Sequence, residues 1–259
     1  MSDIEKIIRS DPKIGQNVEY VYEVPGQEGS YAPFPDDLSN EISDVLRQKG
    51  IEKLYSHQSE AWKLAQEGKN FTVVTPTASG KTLCYNLPVL QQILDEPASK
   101  AIYIFPTKAL SQDQMNELHD LITLLEKDIK VFTFDGDTPT SARKAIRKQG
   151  QVVVTNPDML HQGILPHHSK WMQFFQNLEY VIIDEVHTYR GVFGSHMTNL
   201  IRRLKRICKF YRSDPLFIFS SATIANPKIH SEKLLEEPVE IIEKSGAPVS
   251  PKRIIFYNP

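Results

Sequence analysis

The sequence predicts a three-layer α/β domain built on a mainly parallel central sheet, and three observations predict it. Short apolar, β-rich runs alternate with longer amphipathic segments through most of the chain. The runs are apolar at consecutive positions, as in Val181-Ile182-Ile183, which is what a sheet covered by helices on both faces needs. Directly after the first run, Thr75-Pro-Thr-Ala-Ser-Gly-Lys-Thr82 opens a helical pattern, which is where a phosphate-binding loop belongs.

Composition narrows the class. At 259 residues, with 40% apolar and 24% charged side chains, the chain has an ordinary globular balance, which excludes disordered, collagen-like and coiled-coil classes. A formal charge of -2 announces no basic excess, although local basic patches stay open. Cys84 and Cys208 are the only cysteines, so a disulfide framework and a four-thiolate zinc site are excluded within this chain. The amino-terminal Met-Ser-Asp-Ile-Glu-Lys lacks the basic-then-apolar order of a signal peptide, and no run of about 18 apolar residues occurs. A cytoplasmic protein without a membrane span is expected.

The elements follow in order. Residues 1–37 mix Pro25, Gly26, Pro33 and Pro35 with Tyr20, Tyr22, Tyr31 and Phe34, a pattern of extended pieces and turns expected to pack on the core. Two short helices follow, one through Ile42, Val45 and Leu46, the other through Ala61, Trp62, Leu64 and Ala65 with Ser56 as its N-cap. Strands are expected at 71–75, 101–105, 131–134, 152–155, 180–184 and 216–220, with crossover helices at 81–96, 108–127, 139–149 and 193–212. The main domain is expected to run over 38–250. The tail carries Pro238, Gly246, Pro248 and Pro251 before Ile254-Ile-Phe-Tyr257, so 251–259 reads as the start of a linker or an edge strand and the chain as a piece of a longer protein.

In a phosphate-binding loop, backbone N–H groups around Ser79 to Thr82 hold phosphate oxygens at a helix N-terminus. Lys81 then reaches the β and γ phosphates and the Thr82 hydroxyl ligates Mg²⁺. Thr75 departs from the general pattern, which begins with glycine. Further on, Val181-Ile-Ile delivers Asp184-Glu-Val-His187, two consecutive carboxylates at a strand end. Asp184 is read as the metal partner and Glu185 as the base for the attacking water.

Together these stretches resemble a DExH-box helicase of superfamily two, whose motor is a RecA-like domain of the P-loop NTPase class. Phe105-Pro-Thr-Lys-Ala-Leu110 resembles that family's motif Ia, Thr155-Asn-Pro-Asp158 its motif Ib, and Ser221-Ala-Thr223 its motif III. Leu54-Tyr-Ser-His-Gln58 resembles the Q motif, which implies Tyr55 and Gln58 at the adenine, with Thr77, Ala78, Ser79, Gly80, Lys81 and Thr82 around the phosphates. With Asp135-Gly-Asp-Thr-Pro139 and the run Asp184 to His196, the finer likeness is to the MrfA/YprA-type DNA repair helicases and their fungal relatives. That likeness implies ATP and Mg²⁺ as cofactors, 3′ to 5′ action on single-stranded or partly duplex DNA, and a second RecA-like domain that supplies the arginine finger. It also implies a four-cysteine metal domain elsewhere in the parent, and no zinc in this chain. The chain then corresponds to the first RecA-like domain alone. An RNA helicase and a non-translocating ATP-binding module remain alternatives.

The same resemblance implies that Pro106, Thr107, Lys108, Thr155, Asn156 and Pro157 touch nucleic acid, though Pro-Thr and Asn-Pro are also ordinary turns. Ser221 and Thr223 are expected to bond the segment 184–187, and His187 to reach Ser221 or the second domain. Behind the carboxylates, Arg190 is read as a phosphate contact and Tyr189 or Phe193 as a ring that stacks on a base, with Phe193 as the start of the next helix's core stripe the favoured reading for that residue. That helix has one apolar face, which includes Cys208, and one basic face from Arg202 to Arg212 that is read as solvated. Arg143, Lys144, Arg147 and Lys148 are read the same way, and His167-His168 is not read as a metal site.

Overall fold

The computed structural model describes residues 3–11 and 14–258. In chain order the elements are α1 (Asp3–Ser10), β1 (Val18–Val24), β2 (Tyr31–Ala32), α2 (Asn40–Gln48), β3 (Leu54–Tyr55), α3 (Ser56–Gln66), β4 (Phe71–Val74) and α4 (Lys81–Asp95). They continue with β5 (Lys100–Ile104), α5 (Lys108–Leu125), β6 (Val131–Thr133), α6 (Thr140–Gln149), β7 (Val152–Thr155), α7 (Pro157–Met159) and α8 (Met172–Gln176). The last are β8 (Leu178–Ile183), α9 (Gly191–Tyr211), β9 (Leu216–Ser221), α10 (Pro227–Leu235), β10 (Glu240–Ile242) and β11 (Lys252–Tyr257).

The chain divides into two units, Tyr31–Gly246 and the combination of Met1–Ser30 with Ala247–Pro259. The larger unit holds a seven-stranded sheet in the order β10-β4-β9-β8-β5-β7-β6, and every pairing in it is parallel. Alternation along the strands sends residues into two separate cores. Ala101, Tyr103, Val152, Val154 and Ile182 pack with α2 to α5, while Ile102, Ile104, Val153, Val181 and Ile183 pack with α8, α9 and α10. This is the expected three-layer architecture with one strand more than the sequence suggested. The addition is β10, three residues at the sheet edge, which pairs with β4 from Glu240 to Ile242. Its brevity and the neighbouring Pro238 hid it in what read as a tail.

Other expectations need correction. Residues 3–10 form a helix where only extended pieces were expected, since Ile4, Ile7 and Ile8 recur at helical spacing. β1 pairs antiparallel with β11, from Val18 opposite Tyr257 to Val24 opposite Lys252, so of the two readings of the tail, linker or edge strand, the residues form a strand within the smaller unit. The unit boundaries accordingly fall at 30/31 and 246/247 rather than at 37/38 and 250/251. Within the larger unit, Asp37 accepts the Trp62 indole N–H at 2.9 Å and Phe34 packs on the first core. The N-cap of α3 is Tyr55, not Ser56, because the Gln58 carboxamide oxygen accepts the Tyr55 N–H at 2.9 Å. Among the described residues no helix is long and apolar enough to cross a membrane.

Candidate nucleotide site and nucleic-acid segments

Parallel strands β4, β8 and β9 are neighbours in the sheet, so their carboxyl ends deliver the loop at 75–80, the carboxylates at 184–185 and Ser220-Ser221 to one edge. The loop is stiffened from inside. Thr75 Oγ1 and Ser79 Oγ lie 2.6 Å apart and both side chains are buried, so the threonine that replaces the usual first glycine cross-links the loop. Ala78 and Gly80 both take the left-handed conformation, with φ of 62° and 76°. Gly80 is needed for a second reason, because a Cβ there would stand 2.7 Å from Gln58 Nε2.

Lys81 sits at the start of α4 and turns back onto the loop. Its Nζ donates to Thr75 O at 2.8 Å and to Ser221 O at 3.1 Å. Burial lowers its pKa, and the charges of Glu185 and Asp184 oppose that shift, which places both carboxylates within electrostatic reach of the ammonium. Burial pushes the Asp184 carboxyl up, while the Ser220 hydroxyl and the Glu185 N–H hold it down. Glu185 adopts φ of 52°, a left-handed backbone unusual for a side chain of this kind, and its Oε2 lies 3.0 Å from His187 Nδ1.

Tyr55, Gln58 and Gly80 share a cavity of about 550 Å³ with Tyr31, Gly50 to Lys53 and Leu83. The Tyr31 and Tyr55 rings lie 5.4 Å apart. Gln58 is almost fully buried, and its Nε2 donates to Gly80 O at 2.9 Å, so the residue expected at the adenine edge also braces the phosphate loop. Thr77 and Ala78 are exposed at the loop tip.

A magnesium ion fits the donors present. Asp184 contributes one buried carboxylate and Thr82 one hydroxyl, the sparse protein share typical of Mg²⁺ bound with substrate phosphates and water. Three residues at this site carried no sequence signal: Ser220, Gln114 and Tyr85. Ser220 follows from register, because Ile183 pairs with Phe219 and the next residues, Asp184 and Ser220, are therefore neighbours. Gln114 accepts hydrogen bonds from both Thr82 Oγ1 and the Tyr85 hydroxyl, each at 2.9 Å.

That register also corrects the coupling residues. The Ser221 hydroxyl bonds Ala222 O at 2.7 Å rather than the 184–187 segment, and Thr223 is exposed. The link runs instead through the Ala222 N–H, which donates to His187 Nδ1 at 3.4 Å, and through Ser221 O to Lys81.

The segments read as nucleic-acid contacts are arranged differently. A small cleft brings Thr107, Lys108, Thr155 and Asn156 together with Asp135. Within it, the Thr155 hydroxyl is buried and donates to Phe134 O at 2.7 Å, Asn156 caps α7 by accepting the Met159 N–H at 2.8 Å, and Pro157 is buried. Lys108 is ion-paired with Asp137 and lies 3.7 Å from Asp135. Pro106 is half-buried, Thr107 is exposed, and so is Arg190, whose side chain has no ion pair among the described residues. Tyr189 is fully buried, so it presents no face for stacking, whereas Phe193 is 44% exposed beside it. Of the two rings named for stacking, only Phe193 is exposed, and it lies outside the core stripe it was expected to begin. The first turn of α9 exposes Val192 and Phe193, and the buried apolar stripe starts only at Met197.

A cavity of about 1320 Å³ runs along the basic face of α9. Arg202 and Lys205 there are paired with Glu236 and Glu237, as suits a solvated face. His168 Nδ1 lies 2.9 Å from the Tyr211 hydroxyl, and no cluster of metal-ligating side chains occurs among the described residues.

A family profile described as DEAD/DEAH box helicase matches residues 55–230. The chain is 53% identical over 250 residues to the Bacillus subtilis (strain 168) protein named uncharacterized ATP-dependent helicase YprA, across 96% of this chain and 33% of that protein. It is 38% identical to the Schizosaccharomyces pombe protein named ATP-dependent helicase hrq1, across 93% of this chain and 23% of that one. The crystal structure of the DUF1998 helicase MrfA bound to DNA and AMPPNP matches with a TM-score of 0.93 at 52% identity, over 98% of this chain and 36% of that one. The chain thus spans about a third or less of the length of these proteins.

Proposed function

This chain belongs to the DEAD/DEAH box helicase family, and on that premise we propose that it is the first RecA-like motor domain of an ATP-dependent DNA helicase acting 3′ to 5′ in DNA repair. The observation that carries the reading is that the neighbouring strands β4, β9 and β8 bring Lys81, Asp184 and Glu185 to one edge of a parallel sheet, with Lys81 Nζ bonded to Ser221 O at the end of β9. DNA as the track is supported by the MrfA structure bound to DNA and AMPPNP, at 52% identity.

The chain's own residues do the following. Tyr55 and Gln58 line the base cavity, and the N–H groups from Ser79 to Thr82 receive the phosphates at the start of α4. Lys81 exchanges its carbonyl partners, Thr75 O and Ser221 O, for phosphate oxygens. Thr82 and Asp184 would hold Mg²⁺, which when bound neutralises charge on the β and γ phosphates. Glu185 takes the proton of the attacking water. Because Ser221 O also holds Lys81, departure of the ammonium is felt at the end of β9 and through Ala222 at His187. The arginine finger and the opposite wall of the cleft belong to a second RecA-like domain of the same parent.

The test is ATP turnover by the full-length protein beside this chain, each alone, with single-stranded DNA and with single-stranded RNA. DNA-stimulated turnover in the full-length protein only is the expected result. Stimulation by RNA alone would overturn the DNA assignment, and equal turnover by the isolated chain would overturn the half-motor. Glu185→Gln in the full-length protein is expected to lower turnover by about 10²- to 10⁴-fold with ATP affinity retained.

A further inference from the structure

We propose that Gln114 is a positioning residue that aims the Thr82 hydroxyl at the metal and ties that aim to the helix opened by the nucleic-acid segment. The inference rests on the motor reading above. The Gln114 carboxamide oxygen accepts from Thr82 Oγ1 and from the Tyr85 hydroxyl, each at 2.9 Å, and so uses both of its lone pairs. Thr82 and Tyr85 are three residues apart on α4 and present one face to it. Tyr85 is buried, so its hydroxyl is shielded from water and keeps Gln114 as its partner.

The consequence for Thr82 is steric and electronic. A helical threonine left to itself divides between two rotamers, one of which turns the hydroxyl back to a carbonyl of the preceding turn. Holding the hydroxyl proton on Gln114 selects the other rotamer and leaves the oxygen lone pairs for a cation. Gln114 lies on α5, which begins at Lys108 directly after Pro106-Thr107, less than two turns away. A shift of that first turn on binding nucleic acid therefore moves the acceptor on which the Thr82 hydroxyl is hung. Binding of nucleic acid and binding of metal with nucleotide become linked, each altering the other by the same factor.

The experiment uses the full-length protein and measures Mn²⁺ affinity in the presence of a non-hydrolysable ATP analogue, with and without single-stranded DNA, and analogue affinity without metal. Gln114→Leu is expected to weaken Mn²⁺ binding by about 10-fold or more, to leave metal-free analogue binding unchanged, and to abolish the effect of DNA on Mn²⁺ affinity. Gln114→Glu keeps the acceptor oxygen and is expected to restore Mn²⁺ binding. Tyr85→Phe, which keeps the buried ring, is expected to weaken it in the same direction by less. Unchanged Mn²⁺ affinity in Gln114→Leu overturns the proposal, and so does an equal loss of metal-free analogue binding, which marks a merely structural side chain. If the unmodified protein shows no nucleic-acid-stimulated turnover, the motor reading fails, while the Mn²⁺ comparison still decides whether Gln114 positions Thr82.

Discussion

The nucleotide loop and the segments proposed to touch nucleic acid both lie at carboxyl ends of strands in the same sheet, yet their side chains are used in opposite ways. Around the loop, hydrogen bonds converge on the groups that must act: Thr75 with Ser79, Gln58 with Gly80, Lys81 with Thr75 O and Ser221 O, and Thr82 with Gln114. Along the other segments the polar groups are used for local structure, Thr155 on Phe134 O, Asn156 on the Met159 N–H, and Lys108 on Asp137. A pocket for one small ligand gains from groups fixed in place before it arrives. A surface that must grip and release a polymer of any sequence gains from a rigid backbone with few side chains committed to the polymer.

The largest way to break this comparison is to unlock the loop. Gly80→Ala places a Cβ at 2.7 Å from Gln58 Nε2 on a backbone with φ of 76°, so the brace and the turn cannot both persist. Nucleotide affinity, measured by fluorescence of a labelled ATP analogue, is expected to fall by about 10-fold or more, the effect of roughly 1.4 kcal/mol. DNA affinity without nucleotide should be unchanged; a parallel loss of both would mean that the two regions are not separately built.

The opposite effect is expected from Thr155→Val. The valine preserves volume but strips the Phe134 carbonyl of its buried donor, at a cost of about 1 to 3 kcal/mol in the stability of the chain by urea denaturation. DNA affinity of the full-length protein, measured where it stays folded, should not move, because the hydroxyl faces inward.

The same contrast explains what could be read from the sequence. The sheet, its two cores and the nucleotide loop were legible because each depends on a local pattern: consecutive apolar residues, helical periodicity, and a Gly-Lys-Thr step between strand and helix. β10 was not, because three residues at an edge carry no periodicity, and neither was the pairing of β1 with β11, whose partners lie at opposite ends of the chain. Gln114 is one polar residue in a polar stretch of α5, and only the tertiary packing of α5 against α4 gives it a role. Phe193 was placed on the core stripe because helical spacing sets which residues share a face, not where the helix begins to touch its core. The segments at 106–108 and 155–157 proposed to touch nucleic acid were located by resemblance, which gives position in the chain and not which atoms are free.

Arg190 sharpens the comparison at smaller scale, since its exposed side chain has no ion pair among the described residues. Arg190→Gln in the full-length protein is expected to reduce the slope of log affinity for single-stranded DNA against log salt by about 0.7, the release of one phosphate contact. An unchanged slope would remove Arg190 from the track.

The smallest effect is expected at Lys108, where pairing with Asp137 and proximity to Asp135 compete with any phosphate. The pair holds the lysine ammonium above its ordinary pKa through the hydrogen bond to Asp137, so it stays charged across the working range and only its partner changes. Asp137→Asn removes one competing charge without emptying the site. Because the ion pair is exposed to solvent, screening keeps its strength small, and DNA affinity should rise only slightly, with the rise largest at low salt. A fall in affinity instead would mean that Asp137 aims Lys108 toward the phosphate rather than withholding it, and Lys108 would then join the preorganised groups of the nucleotide loop rather than the uncommitted surface.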